Sequence, residues 1–230
     1  ADVAATPSDV GAYEASVIFT PSNASLYQSV SATVMVDVDP KIISAGVLAN
    51  DKTYDGSDGA MINACVLDAV VGADVVTCAV ANASFADKNA SADKVVTASG
   101  ISILGPNANK YSLLATTANA SADIAKRFVT VRADAKSKLQ GEADPALTYM
   151  ISSGSLVGGD EFVGGLARVS GEVAGVYAIN QGDLDLGANY ELTYVGANLL
   201  ISEMPTLSVV ADNKIINYGD AEPAFTFQYG

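Results

Sequence analysis

Between Val30 and Val38 the chain alternates. Val30, Ala32, Val34, Val36 and Val38 fall on one face of an extended strand, with Ser31, Thr33 and Asp37 on the other. A period of two with one apolar and one polar face is the pattern of an antiparallel sheet that buries one side and wets the other. Met35 interrupts the polar face and is expected under a neighbouring module. Residues 11–20 read as the preceding strand, closed by the turn Pro21-Ser22-Asn23. The same short-strand texture continues over 42–43, 94–98, 101–104, 118–124, 128–131 and 197–201, and a hairpin is predicted from arms 65–70 and 75–80 around Val71-Gly72-Ala73-Asp74. No helix is predicted, because Gly, Asn and β-branched residues interrupt every run that would carry a helical apolar stripe.

The strands are organised in repeats. The stretch from Ala133-Asp134-Ala135-Lys136 through Gly141-Glu142-Ala143-Asp144-Pro145-Ala146-Leu147-Thr148-Tyr149 returns 78 residues later, in unbroken register. Its second copy runs from Ala211-Asp212-Asn213-Lys214 through Gly219-Asp220-Ala221-Glu222-Pro223-Ala224-Phe225-Thr226-Phe227. A period of that size is a whole small domain rather than a solenoid turn. Gly175-Val176-Tyr177 echoes Gly11-Ala12-Tyr13, and Val157-Gly158-Gly159-Asp160 repeats Val71-Gly72-Ala73-Asp74. Junctions at Asp39-Pro40-Lys41, Lys126-Arg127 and Pro205 divide the chain into segments 1–39, 40–126, 127–203 and 204–230. The expected architecture is all-β: small antiparallel β-sandwich modules in tandem, forming a linear array.

The outer segments read as partial modules. Laid on segment 127–203, the tail reaches the equivalent of Ser152 and the head begins at the equivalent of Gly165. Each alone would expose unpaired strand edges and half a core. The expectation is that the head of one copy packs with the tail of another, head to tail, the kind of interface that builds open filaments. The alternative is a pair of disordered terminal pieces.

Composition narrows the chemistry. Half the residues are hydrophobic, yet only 7% are aromatic and Trp is absent, so the apolar content is mainly Ala and Val and suits thin, half-buried sheets. The 12 Lys+Arg against 26 Asp+Glu give a net charge of −14, which repels nucleic acid and anionic lipid. No nucleic-acid partner is expected, and the acidic surface reads as a device for solubility. No apolar run approaches the length of a membrane-spanning helix, so no membrane insertion is expected. The start, Ala1-Asp2-Val3, carries no signal-peptide pattern, so any such peptide is expected upstream or already removed. Histidine is absent, which removes the commonest general base and metal ligand together and rules out Ser–His and Cys–His nucleophiles. Two cysteines without histidine do not make a structural zinc site, and Asp and Glu sit singly in turns rather than as catalytic pairs. An enzyme is not expected.

Four sets of residues remain as candidates. Cys65 and Cys78 stand opposite each other across the predicted hairpin, near the separation a disulfide requires, and a disulfide is favoured over two free thiols. Asn23, Asn82, Asn89 and Asn119 each begin an Asn-Ala-Ser glycosylation sequon. Three pairs of turn carboxylates, Asp55 with Asp58, Asp160 with Glu161 and Asp183 with Asp185, offer oxygens to a structural calcium ion. None has EF-hand spacing, and Asp at Gly-rich turns usually bonds its own backbone, so they are read as turn formers and no cofactor is expected. Tyr13, Tyr111, Tyr177 and Tyr190 recur near module ends and are read as sandwich-corner tyrosines rather than sugar platforms.

Lys52-Thr53-Tyr54-Asp55-Gly56, followed by Val71-Gly72-Ala73-Asp74-Val75-Val76 and Phe85-Ala86-Asp87-Lys88-Asn89, resembles the YDG module of bacterial haemagglutinin-type adhesins. Gly141-Glu142-Ala143-Asp144-Pro145-Ala146-Leu147-Thr148-Tyr149, then Leu156-Val157-Gly158-Gly159-Asp160 and Gly175-Val176-Tyr177, resembles the companion "mostly beta, glycine-rich" (MBG) module. On that resemblance segment 40–126 is YDG-like and 127–203 MBG-like. Segment 1–39 is then the closing part of an Ig-like or MBG-like module, and 204–230 the opening part of another. The resemblance implies β-sandwich repeats in large secreted or surface-anchored bacterial proteins and brings no catalytic residues. The expected function is a non-enzymatic structural segment of a secreted adhesin or extracellular filament, partnered by copies of itself or by further repeats of the same chain. The alternative is an adhesin module that binds a host or surface glycan or protein, which requires exposed, clustered aromatic loop residues.

Overall fold

The computed structural model describes residues 9–230. Among them, regular structure is almost entirely β, with one three-residue 3₁₀ turn at Ala108–Lys110. No helix among the described residues is long and apolar enough to cross a membrane. Two compact units divide the chain: Ala1–Arg127 together with Gly187–Glu191, and Phe128–Leu186 together with Leu192–Gly230.

The first unit begins with a hairpin of β1 (Gly11–Phe19) and β2 (Val30–Val38), paired without interruption from Gly11↔Val38 to Phe19↔Val30. Then come β3 (Lys41–Ile43), β4 (Ala45–Ala49), β5 (Lys52–Thr53), β6 (Ile62–Leu67), β7 (Thr77–Ala79) and β8 (Asn82–Phe85). The unit continues with β9 (Ser91–Ser99), β10 (Ser102–Leu104), β11 (Tyr111–Leu113) and β12 (Thr117–Ala125). The main sheet has the order β5-β12-β9-β8, and the β4–β6 pair packs over it. Along β9, Val96 and Ala98 are buried while Val95 and Thr97 face out, the period-two pattern of a half-buried strand. The core gathers Val47, Ala98 and Ile101 with Ile62, Leu113, Ala118 and Ala120. Three of these seven are alanines, so the layers approach closely.

Strands β6 and β7 do not form the expected hairpin. β6 pairs with β4, and β7 pairs with β10. Side-chain capture of backbone explains the split. Asp68 ties its carboxylate to the Ser44 N–H (2.6 Å), pinning the end of β6 to the start of β4. The Val71 N–H donates to the Tyr111 hydroxyl (2.9 Å) and the Val75 N–H to the Asn107 side chain (2.9 Å), so donors a hairpin ladder would need are already taken.

The second unit holds β13 (Arg127–Ala133, its first residue counted with the other unit), β14 (Lys136–Leu139), β15 (Tyr149–Ser153), β16 (Ala167–Arg168) and β17 (Gly175–Asn180). It is completed by β18 (Tyr190–Val195, its first two residues counted with the other unit), β19 (Ala197–Ser202), β20 (Val209–Ala211) and β21 (Phe227–Tyr229). Sheets β15-β13-β18 and β14-β19-β17-β16 face each other across Ala133, Ile179, Leu199 and Ile201. The sandwich is not wholly antiparallel. Asp134-Ala135 carries the chain from one sheet to the other, which sets β14 parallel to β19. β5–β12 and β3–β11 are also parallel pairs. β20 and β21 form a separate hairpin.

Candidate functional site

The residues singled out from sequence are mostly structural in position. Cys65 and Cys78 are joined (S–S 2.06 Å, Cα–Cα 5.8 Å) and pack against the Val47, Ala98 and Ile101 core. The bond ties β6 to β7 across two strand pairs, not across a hairpin. Asn23, Asn82, Asn89 and Asn119 are all exposed. Asn23 accepts hydrogen bonds from the Ser25 hydroxyl (2.7 Å) and backbone N–H, and the Asn189 side chain donates to Asn89 (3.2 Å).

Of the turn carboxylates, those of Asp55 and Asp183 bond to neighbours and backbone, while Asp58, Asp160 and Asp185 take part through their main chain. Asp55 accepts from Lys52 (2.9 Å) and from the N–H and hydroxyl of Ser57 (both 2.8 Å). The Lys52 ammonium beside it holds its carboxyl at about 2. Asp183 accepts from the Gly165 N–H (2.8 Å), and the Asp160 N–H donates to the Val157 carbonyl (3.0 Å). Asp185 exchanges backbone hydrogen bonds with Val163, and Asp58 accepts through its carbonyl from Phe85 N–H. Among the described residues no three acidic or sulfur ligands gather as a metal would need.

The tyrosines act as buttresses. Tyr13 donates to the Asp9 carbonyl (3.0 Å) and Tyr177 to that of Val173 (2.8 Å), the same contact four residues back. Tyr111 donates to Asp74 (2.7 Å) as well as capturing Val71, and burial pushes its phenol above the usual range. Tyr190 lies in the stretch counted with the first unit and packs edge-to-face on Tyr54, with ring centroids 5.5 Å apart.

One cluster escaped the sequence reading. Lys138 is buried in the second unit and pairs with Glu172 (2.5 Å) and Asp144 (2.7 Å). Arg168 clamps Asp144 through two nitrogens (2.5 and 3.0 Å), bonds Glu172, and also donates to the carbonyls of Val169 and Gly171. Arg168, with Lys138 second, holds the Asp144 carboxyl at about 2, and Lys138 with Arg168 lowers that of Glu172. All four groups are satisfied by one another, so the arrangement locks the sandwich edge. A lysine in a short strand gives no sequence signal of burial, because only the packed sheets bring Asp144, Arg168 and Glu172 to it.

One surface recess joins charged groups already paired, with Lys110 bonded to Asp9 (2.8 Å) and Tyr111 to Asp74. Another, of about 330 Å³ beside the disulfide, is lined by Ile62, Asn63, Val80 and Asn82 among uncharged neighbours. The notable surfaces are the two end hairpins. β20–β21 repeats the opening of the second unit residue for residue. Pairs 211↔227, 210↔228 and 209↔229 reproduce 133↔149, 132↔150 and 131↔151. Around them, Thr226 bonds Asp212 as Thr148 bonds Asp134 (both 2.5 Å), and Asn217 N–H bonds Asp220 (3.0 Å) as Leu139 N–H bonds Glu142 (2.8 Å). Gly219 (φ +93°) matches Gly141 (φ +87°), a left-handed turn position suited to glycine.

Burial is where the copies differ. Val129 and Val131 are 1% and 0% exposed, whereas their equivalents Leu207 and Val209 are 70% and 57% exposed. The β1–β2 hairpin repeats β17–β19 in the same way. Gly11 and Tyr13 stand for Gly175 and Tyr177, while Val34, Val36 and Val38 stand for Ala197, Leu199 and Ile201, at an offset one residue shorter. Leu199 is fully buried, but Val36 is 38% exposed and Val34 more so. Among the described residues, the valine face that the alternation assigns to a core is therefore left uncovered.

Comparison with known families comes to the same two parts. Residues 39–120 match the YDG domain, and residues 129–200 match the MBG domain (YGX type). No curated protein and no solved structure matches the chain.

Proposed function

We propose that this chain, in which a YDG domain is followed by an MBG domain, is a non-enzymatic structural segment of a secreted bacterial adhesin or extracellular filament, its end hairpins completed head to tail by a neighbouring copy. The supporting observation is the pair of open hairpins, each reproducing one half of the complete sandwich while leaving the apolar face of that half uncovered. Exposed contiguous apolar surface marks an interaction site, and a strand edge is a template for another strand. The disulfide supports an oxidising, extracellular setting.

A second reading, a module that binds glycan or a surface protein, draws on the exposed aromatics Tyr218, Phe225, Phe227 and Tyr229. Two of them have internal counterparts that pack inward or against rings. Phe225 stands for Leu147, which packs on the second unit's core, and Phe227 for Tyr149, which meets the Phe162 ring at 5.2 Å. That favours assembly over presentation. Electron micrographs of the purified chain at increasing concentration are expected to show particles joining in series. Isolated particles together with glycan-array binding that disappears on Tyr218→Ala and Tyr229→Ala would replace the structural reading with the binding one.

A further inference from the structure

The head-to-tail reading leaves the joint unspecified, and the internal repeat supplies it. Resting on that reading, we propose that residues 214–217 of one copy add as an edge strand to the β1–β2 sheet of a second copy. They run parallel to β2, with Lys214 beside Val36, Ile215 beside Asp37, Ile216 beside Val38 and Asn217 beside Asp39.

Three observations carry this register. First, the complete sandwich contains the joint already closed. β14 lies parallel to β19 with Lys136↔Leu199, Ser137↔Leu200, Lys138↔Ile201 and Leu139↔Ser202, and β19 in turn pairs antiparallel with β17. Residues 214–217 follow β20 at the interval by which β14 follows β13, and β1–β2 is the counterpart of β17–β19. Carrying the offsets across gives the four pairs named.

Second, both partners are open. Among the described residues the β1–β2 sheet has two strands only, so no described strand lies on the edge of β2 that corresponds to the place of β14. Residues 214–217 form no strand, and Ile215 and Ile216 point into solvent at 96% and 51% exposure. Two adjacent β-branched residues there favour an extended conformation that the chain alone does not supply.

Third, the side chain that the joint would bury on the tail side is apolar. In the complete sandwich Lys138 is buried by pairing with Asp144 and Glu172, which Arg168 also holds. The tail carries Ile216 where Lys138 stands and keeps an acid, Glu222, where Asp144 stands. An isoleucine at that position suits a place beside Val38 on an apolar inner face.

The register is read by cross-linking between two copies. One preparation carries Asp37→Cys and a second carries Ile215→Cys, with the native cysteines occupied in their disulfide. Both sites are exposed in the lone chain, and their counterparts Leu200 and Ser137 face outward in the complete sandwich, so neither change should disturb folding. Mixed in equal amounts and treated with a short bis-maleimide, the pair is expected to give an intermolecular product in clear excess over Ile215→Cys mixed with Met35→Cys or Asp39→Cys. Ile216→Asp is expected to weaken association at least about tenfold, because the joint would bury an unpaired carboxylate.

Each contrary outcome is distinct. Assembly with Ile215→Cys reacting mainly at position 35 or 39, or at no head position, overturns the register while the head-to-tail reading stands. Coupling of positions 37 and 215 within a single chain, in a variant carrying both cysteines, overturns the second copy as occupant. Chains that stay monomeric at every concentration overturn both.

Discussion

At Gly105 the backbone holds φ +117°, and a Cβ added there would stand 2.6 Å from the Val75 carbonyl oxygen. Neither the conformation nor the space admits a side chain. Gly105→Ala is therefore expected to cost about 1–3 kcal/mol of stability, read as a lower denaturant midpoint at unchanged slope. The charged cluster of the second unit makes a separate prediction about pH. Asp144 is held at about 2 by Arg168 and Lys138, below its ordinary range near 4. A carboxyl whose folded value lies below its unfolded value stabilises the fold at neutral pH, and the contribution fades as acid protonates it. Thermal midpoints should fall between about pH 5 and pH 2, and Asp144→Asn should start lower and lose less over that window. Asp55, held at about 2 by Lys52, titrates over the same range, so the difference between wild type and variant isolates the Asp144 share. Lys138 shows where residue-level reading of the sequence stops. Its partners lie 6 and 34 residues away, so only the closed sandwich reveals a buried ion network.

Strands were the most legible level. The alternation that predicts a strand from Val30 to Val38 corresponds to β2 residue for residue, because period two over nine residues admits no other regular structure. Which strand pairs with which was less legible. Apolar periodicity says that a strand has an inner face, not which sheet owns it, and at 65–80 the hairpin geometry lost to side chains that captured the turn's backbone donors. The disulfide consequently joins two strand pairs over a separation of 13 residues. In the chain-entropy estimate a loop of that size contributes about 3 kcal/mol. Cys65→Ala with Cys78→Ala is expected to lower unfolding free energy by about that amount, seen in denaturant titration of the oxidised chain against the double variant. Free thiols that alkylate fully in the folded protein would refute the premise.

For the whole molecule, the repeated stretch is legible in the sequence alone, since a 78-residue echo needs no structural inference. The uncovered valine and isoleucine faces were not visible, because the sequence alternates as though a core were present. The net charge of −14 sets copies against one another, while the proposed joint consists of backbone hydrogen bonds and apolar contact. Raising ionic strength from about 0.02 M to about 0.5 M should therefore tighten association, as screening shortens the repulsion; association that weakens with salt would point to an ion-paired joint instead.

The most direct test of head-to-tail completion is sedimentation velocity of the purified 23.4 kDa chain across a wide concentration range. An interface between unlike surfaces does not close on itself at two copies unless geometry forces a ring. The weight-average sedimentation coefficient is therefore expected to climb continuously, with no plateau at a dimer, and to fall back toward the single-chain value in Ile216→Asp. A coefficient that stays at the single-chain value at every concentration would contradict the account.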